Sequence, residues 1–159
     1  MRYADVESNL ERCIDTATSD GKRALTVHAV QRLTQLDGVD EVAADEFTPE
    51  ALDAFHAACA NPVSADAQTL TTWLDILEEG TLSNGDMDPF VLWALTALDA
   101  WRDYQQDEDS SSVFTVAHTL LEVVDFEMGG ADLDDFLADP RMSAQFDEIQ
   151  SLLASPLSQ

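Results

Sequence analysis

The chain has 159 residues, 45% of them hydrophobic, and sets 32 aspartates and glutamates against seven lysines and arginines, for a formal charge of -25. That length and apolar content fit one folded domain with its own core and exclude a disordered chain. The charge excludes a surface that holds DNA, RNA or anionic lipid by its field, and it favours basic proteins and cations as partners.

A first helix is expected over residues 3–18, where Tyr3, Val6, Leu10, Cys13, Ile14 and Ala17 recur at three and four. Ser19-Asp20-Gly21 reads as its end, and a second helix runs from about Lys22 to Gln35. Residues 37–47 form an acidic connection around Gly38, with room for a short helical turn. Thr48-Pro49-Glu50 is a strong helix start, because it supplies a cap, a proline at the first helical position and an acid in the first turn. The third helix, 49–60, turns Leu52, Phe55, Ala58 and Cys59 inward and stops at Asn61-Pro62. Ser64 is expected to cap a fourth over 65–79, with Leu70, Trp73, Leu74 and Leu77 inward and Gly80 just past its end. The loop 81–88 carries the turn dipeptide Asn84-Gly85.

Asp88 and Pro89 then cap and open a helix over 89–104 that holds two of the three tryptophans. It is apolar on nearly every face; only Leu92, Thr96, Asp99 and Asp103 form a stripe, three of them polar. Such a helix is wrapped by others, so Trp93, Leu95 and Leu98 are expected to be almost wholly buried. It is too short and too interrupted to cross a membrane. A polar acidic turn is expected over 105–112, then a sixth helix over about 112–128 with Val113, Val116, Ala117, Leu120, Leu121, Val124 and Met128 on one face. Gly129-Gly130 breaks it. A short helix is expected at 131–138 with Leu133, Phe136 and Leu137, a last one over 140–154 opened by Asp139-Pro140, and a tail over 155–159. Neither period-two alternation nor a repeat of 20–50 residues is present, and no Gly-, Ser- or Pro-rich linker divides the chain. The expected fold is an all-α, single-domain bundle over 1–159, with seven to eight helices around 89–104.

Candidate chemistry is sparse. His118, Glu122 and Asp125 are spaced four and three, which puts three metal-ligand types on one helical stripe. They lie opposite the apolar face, so a solvated polar stripe is the preferred reading. His56 and Cys59 have the spacing of half a zinc site but no partner pair, and Cys59 reads as a core residue. His28 reads as a buried, hydrogen-bonded histidine near an apolar face. No cysteine sits at a strained turn or helix start, and neither Gly-x-Ser-x-Gly nor a glycine-rich phosphate loop occurs. The expectation is a protein that is not an enzyme, with no catalytic residues, no metal and no cofactor; the alternative is a metal-dependent helical enzyme that uses the His118 stripe. Arg2, Asp5, Glu7 and Glu11 interrupt any apolar N-terminal run, and Cys13 and Cys59 are the only cysteines, which points to the cytoplasm and two reduced thiols.

The charge is uneven. Residues 1–32 hold five acids and five bases, whereas 33–159 hold the other twenty-seven acids with only Arg102 and Arg141. The acids cluster as Asp37, Asp40, Glu41, Asp45 and Glu46, as Asp107, Glu108 and Asp109, and as Asp132, Asp134, Asp135 and Asp139. One reading is the acid-rich surface of a salt-adapted protein with an unrelated binding role. The asymmetry argues against that alone, since salt adaptation should deplete the first two helices of bases as well. The other reading is an acidic face for a basic partner. Its expected anchors are Asp107, Glu108, Asp109, Asp134 and Asp135, with Tyr104 and Phe136 as the hydrophobic hot spots.

Residues 23–36 (Arg-Ala-Leu-Thr-Val-His-Ala-Val-Gln-Arg-Leu-Thr-Gln-Leu), 70–78, and the helix pair 90–103 and 113–127 resemble all-helical bacterial families of unknown function that include immunity proteins of polymorphic toxin systems. The likeness covers about half the chain and rests on an Ala- and Leu-rich helix, a short acidic turn, and a helix ending Glu122-Val123-Val124-Asp125. The resemblance implies a binding protein that plugs a toxin, often a nuclease with a basic active site. It brings no site residues with it. The expected partner is a basic protein, such as a toxin or a nucleic-acid-binding protein, with no direct nucleic-acid or membrane binding; the oligomeric state is open.

Overall fold

The computed structural model describes residues 1–82 and 86–155; the Asn84-Gly85 turn and the tail beyond Ser155 lie outside the described residues. The fold is all-α. Among the described residues there are eight α-helices and no strand, only a single bridge between Phe47 and Thr81. The chain divides into two compact units, Val27–Glu108, and Met1–Thr26 with Asp109–Gln159. One boundary falls inside helix α2 (Ser19–Leu33) and the other on a two-residue link, so no linker composition marks either.

In the 27–108 unit, α3 (Val39–Ala43) follows Gly38, whose φ of 86° requires a residue without a Cβ. Helix α4 (Pro49–Ala60) starts where Thr48 accepts the Ala51 N–H. A 3-10 turn, Pro62–Ser64, leads to α5 (Ala67–Glu79). The cap of α5 is Asp66, which accepts from Thr69 N at 2.8 Å, and not Ser64 as the sequence led one to expect. The 3-10 turn takes up Ser64. Thr48 N–H donates to Gly80 O at 2.8 Å and Leu82 N–H to Glu46 O at 2.9 Å, so the start of α4 and the end of α5 are fastened together. Gly80 is needed there for closeness: a Cβ would stand 2.3 Å from the Ala51 Cβ.

Helix α6 (Pro89–Asp107) opens as expected, with Asp88 accepting from Phe90 N at 2.9 Å. It runs one turn past the expected end, and the link to α7 is only Glu108 and Asp109. Trp93 and Leu98 are buried, but Leu95 is only half-buried, because it borders an open groove against α5. The C-terminal half of α6 is held by the indole N–H of Trp101 donating to Pro62 O at 3.1 Å and by Gln105 Nε2 donating to Ala65 O at 3.0 Å.

In the other unit, α1 (Tyr3–Thr16), α7 (Ser110–Met128) and α8 (Pro140–Leu153) pack through Val6, Leu10 and Ile14, through Val113, Val116 and Leu120, and through Met142, Phe146 and Ile149. Gly21 does not end a helix. It lies in the first turn of α2, where its N–H reaches Thr18 Oγ1 at 3.1 Å. A Cβ there would meet the Leu153 carbonyl oxygen at 2.1 Å, so the glycine serves the approach of α8. The short helix expected at 131–138 does not form. That segment instead pairs its backbone with the chain start: Tyr3 N–H donates to Leu133 O at 2.9 Å and Phe136 N–H to Met1 O at 2.8 Å. No helix among the described residues is long and apolar enough to cross a membrane.

Candidate functional site: acidic clefts on the helical surface

The expected anchors divide by exposure. Asp107, Glu108, Asp109, Asp134 and Asp135 are all exposed. Asp109 caps α7 through Ser111 N at 2.9 Å and Ser111 Oγ at 2.8 Å, and these bonds hold its carboxyl below the usual range. Glu108 takes a left-handed conformation, φ 50°, to turn the chain between α6 and α7. The Asp135 carboxylate receives the Met1 amino group at 3.2 Å. The two hot-spot aromatics are not surface groups. Tyr104 is 3% and Phe136 4% exposed; Tyr104 stacks on Trp101 at 6.3 Å, and Phe136 meets Tyr3 edge-on at 4.9 Å. Tyr104 is spent inside the core and Phe136 shows only an edge at the floor of a small cleft, which corrects their assignment as exposed contact residues.

The His118 stripe is folded into local structure. His118 Nδ1–H donates to Glu122 Oε1 at 2.8 Å, one turn on along α7. On its other side, His118 Nε2 is in hydrogen-bond contact with the Tyr3 hydroxyl. Burial first, and then the charge of Glu7 and a hydrogen bond to it, push the Tyr3 phenol up to about 12, so it stays neutral. Asp125 Oδ1 accepts from Ala131 N at 2.7 Å. Both ring nitrogens of His118 are thus engaged within the fold; its spacing to Glu122 is visible in the sequence, but the Tyr3 contact is not. The three groups border a cleft of about 110 Å³ floored by Leu121 and Phe136.

Two larger clefts lie in the 27–108 unit. The first, of about 670 Å³, opens between the end of α2, the start of α3 and the last turns of α4. Its carboxylates are Asp37, Asp40 and Glu41, and no lysine or arginine lines it among the described residues. Gly38 turns the chain so that Asp40 and Glu41 fall in the first turn of α3, where the helix N-terminus favours negative charge. His56 on α4 stands 3.9 Å from Asp40. Cys59 is 7% exposed at the cleft wall, and burial, aided by the Asp40 charge, pushes its thiol up to about 12, which makes it a poor nucleophile at neutral pH. The second cleft, of about 410 Å³, is the groove between α5 and α6. It is bordered by Asp75, Glu78 and Asp99, with Arg102 at its edge held by Asp99 and, at 3.1 Å, by Asp103. Burial pushes the Asp99 carboxyl up, against the pull of Arg102. The acids of the first cleft are legible in the sequence; the second cleft is not, because Leu74, Leu95 and Asp99 come together only when α5 and α6 pack.

Chemically, these surfaces can take cations; among the described residues no group of three or more His, Cys, Asp and Glu side chains is placed to hold a metal ion. Comparison with family models, with curated proteins and with solved structures finds no match to this chain.

Proposed function

We propose that this chain is an acidic, non-catalytic interaction protein that binds a basic partner, in the manner of an immunity protein or a nucleic-acid mimic. The observation that supports this most is the cleft of Asp37, Asp40 and Glu41, set in a unit that carries seventeen acids against only Arg32 and Arg102. A concave, low-dielectric wall focuses the field of its carboxylates more than a convex surface does. An arginine or lysine entering it lays its aliphatic stem on Leu36 and Ala60 and its charge among three carboxylates. Encounter is then fast and steeply salt-dependent, since opposite charges steer diffusion. A cytoplasmic location and a toxin or nucleic-acid-binding protein as partner belong to the same reading.

A second reading, acidity as solvation in high salt, is favoured by Glu50, Asp53 and Asp147, which are exposed on helices yet border neither cleft. The two are separated by two triple neutralisations of equal charge. Asp37→Asn with Asp40→Asn and Glu41→Gln should weaken binding of an oligo-arginine peptide of about eight residues by at least about tenfold. Glu50→Gln with Asp53→Asn and Asp147→Asn should change it little. Equal losses in both triples would leave only net charge, and the solvation reading would replace the first.

A further inference from the structure

We infer that the α5–α6 groove is a docking site for a basic amphipathic helix; this rests on the reading that the partner is basic and adds where and how it binds. The groove has an apolar floor of Leu74, Leu77 and Leu95 and carboxylates on both banks, Asp75 and Glu78 from α5 and Asp99 from α6. Leu74 and Leu95 are half-buried. One turn before Thr96 on α6, Leu92 is 49% exposed, so one further apolar side chain stands just beyond the groove on the outward stripe of Leu92, Thr96, Asp99 and Asp103. This is the one face on which an otherwise apolar helix meets solvent.

The charge pattern selects the occupant. Arg102, the one cation lining the groove among the described residues, is already engaged by Asp99 and Asp103. Asp75 and Glu78 are exposed, and Asp99 is held in partly desolvated surroundings that disfavour its charge. A positive group beside Asp99 relieves that cost. Leucine-like residues at three-and-four spacing, flanked by lysines or arginines, match an apolar floor between two acidic banks. An acidic or neutral helix would meet repulsion along both banks, and a basic extended peptide without an apolar stripe would leave the leucines uncovered.

The test uses the full chain and two fluorescein-labelled peptides of about 18 residues, one with leucines at helical three-and-four spacing among lysines and an isomer of identical composition in shuffled order. Anisotropy titrations are run in dilute buffer and at about 0.5 M NaCl, where non-specific charge attraction is largely screened. The striped peptide should bind at least about tenfold more tightly than its isomer at the higher salt, and Leu92→Gln should weaken it by about tenfold, because an apolar contact is lost. Asp75→Asn with Glu78→Gln should weaken it several-fold and flatten its salt dependence, whereas Asp37→Asn with Asp40→Asn should not. Circular dichroism melts of each variant establish that it is folded. Equal binding of both peptides, or binding unmoved by Leu92→Gln and by the α5 pair, overturns the groove and leaves the basic-partner reading standing. No binding of either peptide at either salt overturns both.

Discussion

Trp101 ties α6 to the turn after α4 within the 27–108 unit. It is 1% exposed, and its indole N–H donates to the Pro62 carbonyl at 3.1 Å, which anchors α6 to the turn just after α4. The wall of the acidic cleft, His56 and Cys59, lies on that same helix. Trp101→Phe keeps an aromatic ring but removes the donor. The Pro62 carbonyl also accepts from Ala65 N at 3.4 Å, so the change removes one of its two bonds, worth about 0.5–1.5 kcal/mol. The smaller ring leaves a void of roughly 40 Å³, which at about 24 cal/mol per Å³ adds about 1 kcal/mol. The expected loss is therefore about 1.5–2.5 kcal/mol, against the roughly 5–15 kcal/mol that holds a domain together. Urea unfolding followed by circular dichroism measures it, at about 0.5 M NaCl so that self-repulsion is screened in both proteins. Trp73→Phe is the reference, because Trp73 is only half-buried, and it should cost under about 1 kcal/mol. A loss for Trp101→Phe no larger than that for Trp73→Phe would refute the anchoring role.

Further outcomes follow from the same structure. Gly21→Ala drives a Cβ into the Leu153 carbonyl and should cost about 1–3 kcal/mol or more, although alanine is the better helix former; a neutral or stabilising result by thermal melting would remove the close approach. At about pH 8 a thiol reagent should modify Cys13 in the native protein and reach Cys59 only in denaturant, because burial holds Cys59 protonated; two fast equivalents in the native state would contradict this. The Asp66 carboxyl is lowered by its cap bonds to Thr69, so its contribution is full above the ordinary carboxylate range and is lost as pH falls through the lowered folded value; the destabilisation caused by Asp66→Ala should therefore shrink on going from about pH 6 to about pH 2 in paired melts. With -25 formal charges, the melting temperature should rise between dilute buffer and about 0.5 M NaCl, and a flat or falling curve would mean the acids are not strained against one another.

Helix starts were the most legible part of the fold, because a cap is a local bond. Thr48-Pro49, Asp88-Pro89 and Asp139-Pro140 each open a helix where the residue types put it. Features set by distant partners were not legible. Gly21 looks like a breaker, but the cause of the glycine is Leu153, near the other end of the chain. Leu133, Phe136 and Leu137 have helical spacing, yet Asp132 Oδ1 accepts from Asp134 N at 2.9 Å and the backbone on either side pairs with Met1 and Tyr3. The acids of the candidate site were readable as clusters. Which aromatics stood beside them at the surface was not: burial of Tyr104 and Phe136 depends on Trp101 and Tyr3, and no spacing rule brings Tyr3 to the far side of α7.

On the proposed function, acidity is concentrated for binding in particular clefts. An amide chemical-shift titration of the uniformly 15N-labelled chain with the oligo-arginine peptide, at about 0.3 M NaCl to screen diffuse attraction, tests it most directly. Binding in the first cleft requires saturable shifts at Asp37, Asp40, Glu41, His56 and Ala60, with Glu50, Asp53 and Asp147 left in place. Small, unsaturable shifts spread over every exposed carboxylate would contradict it.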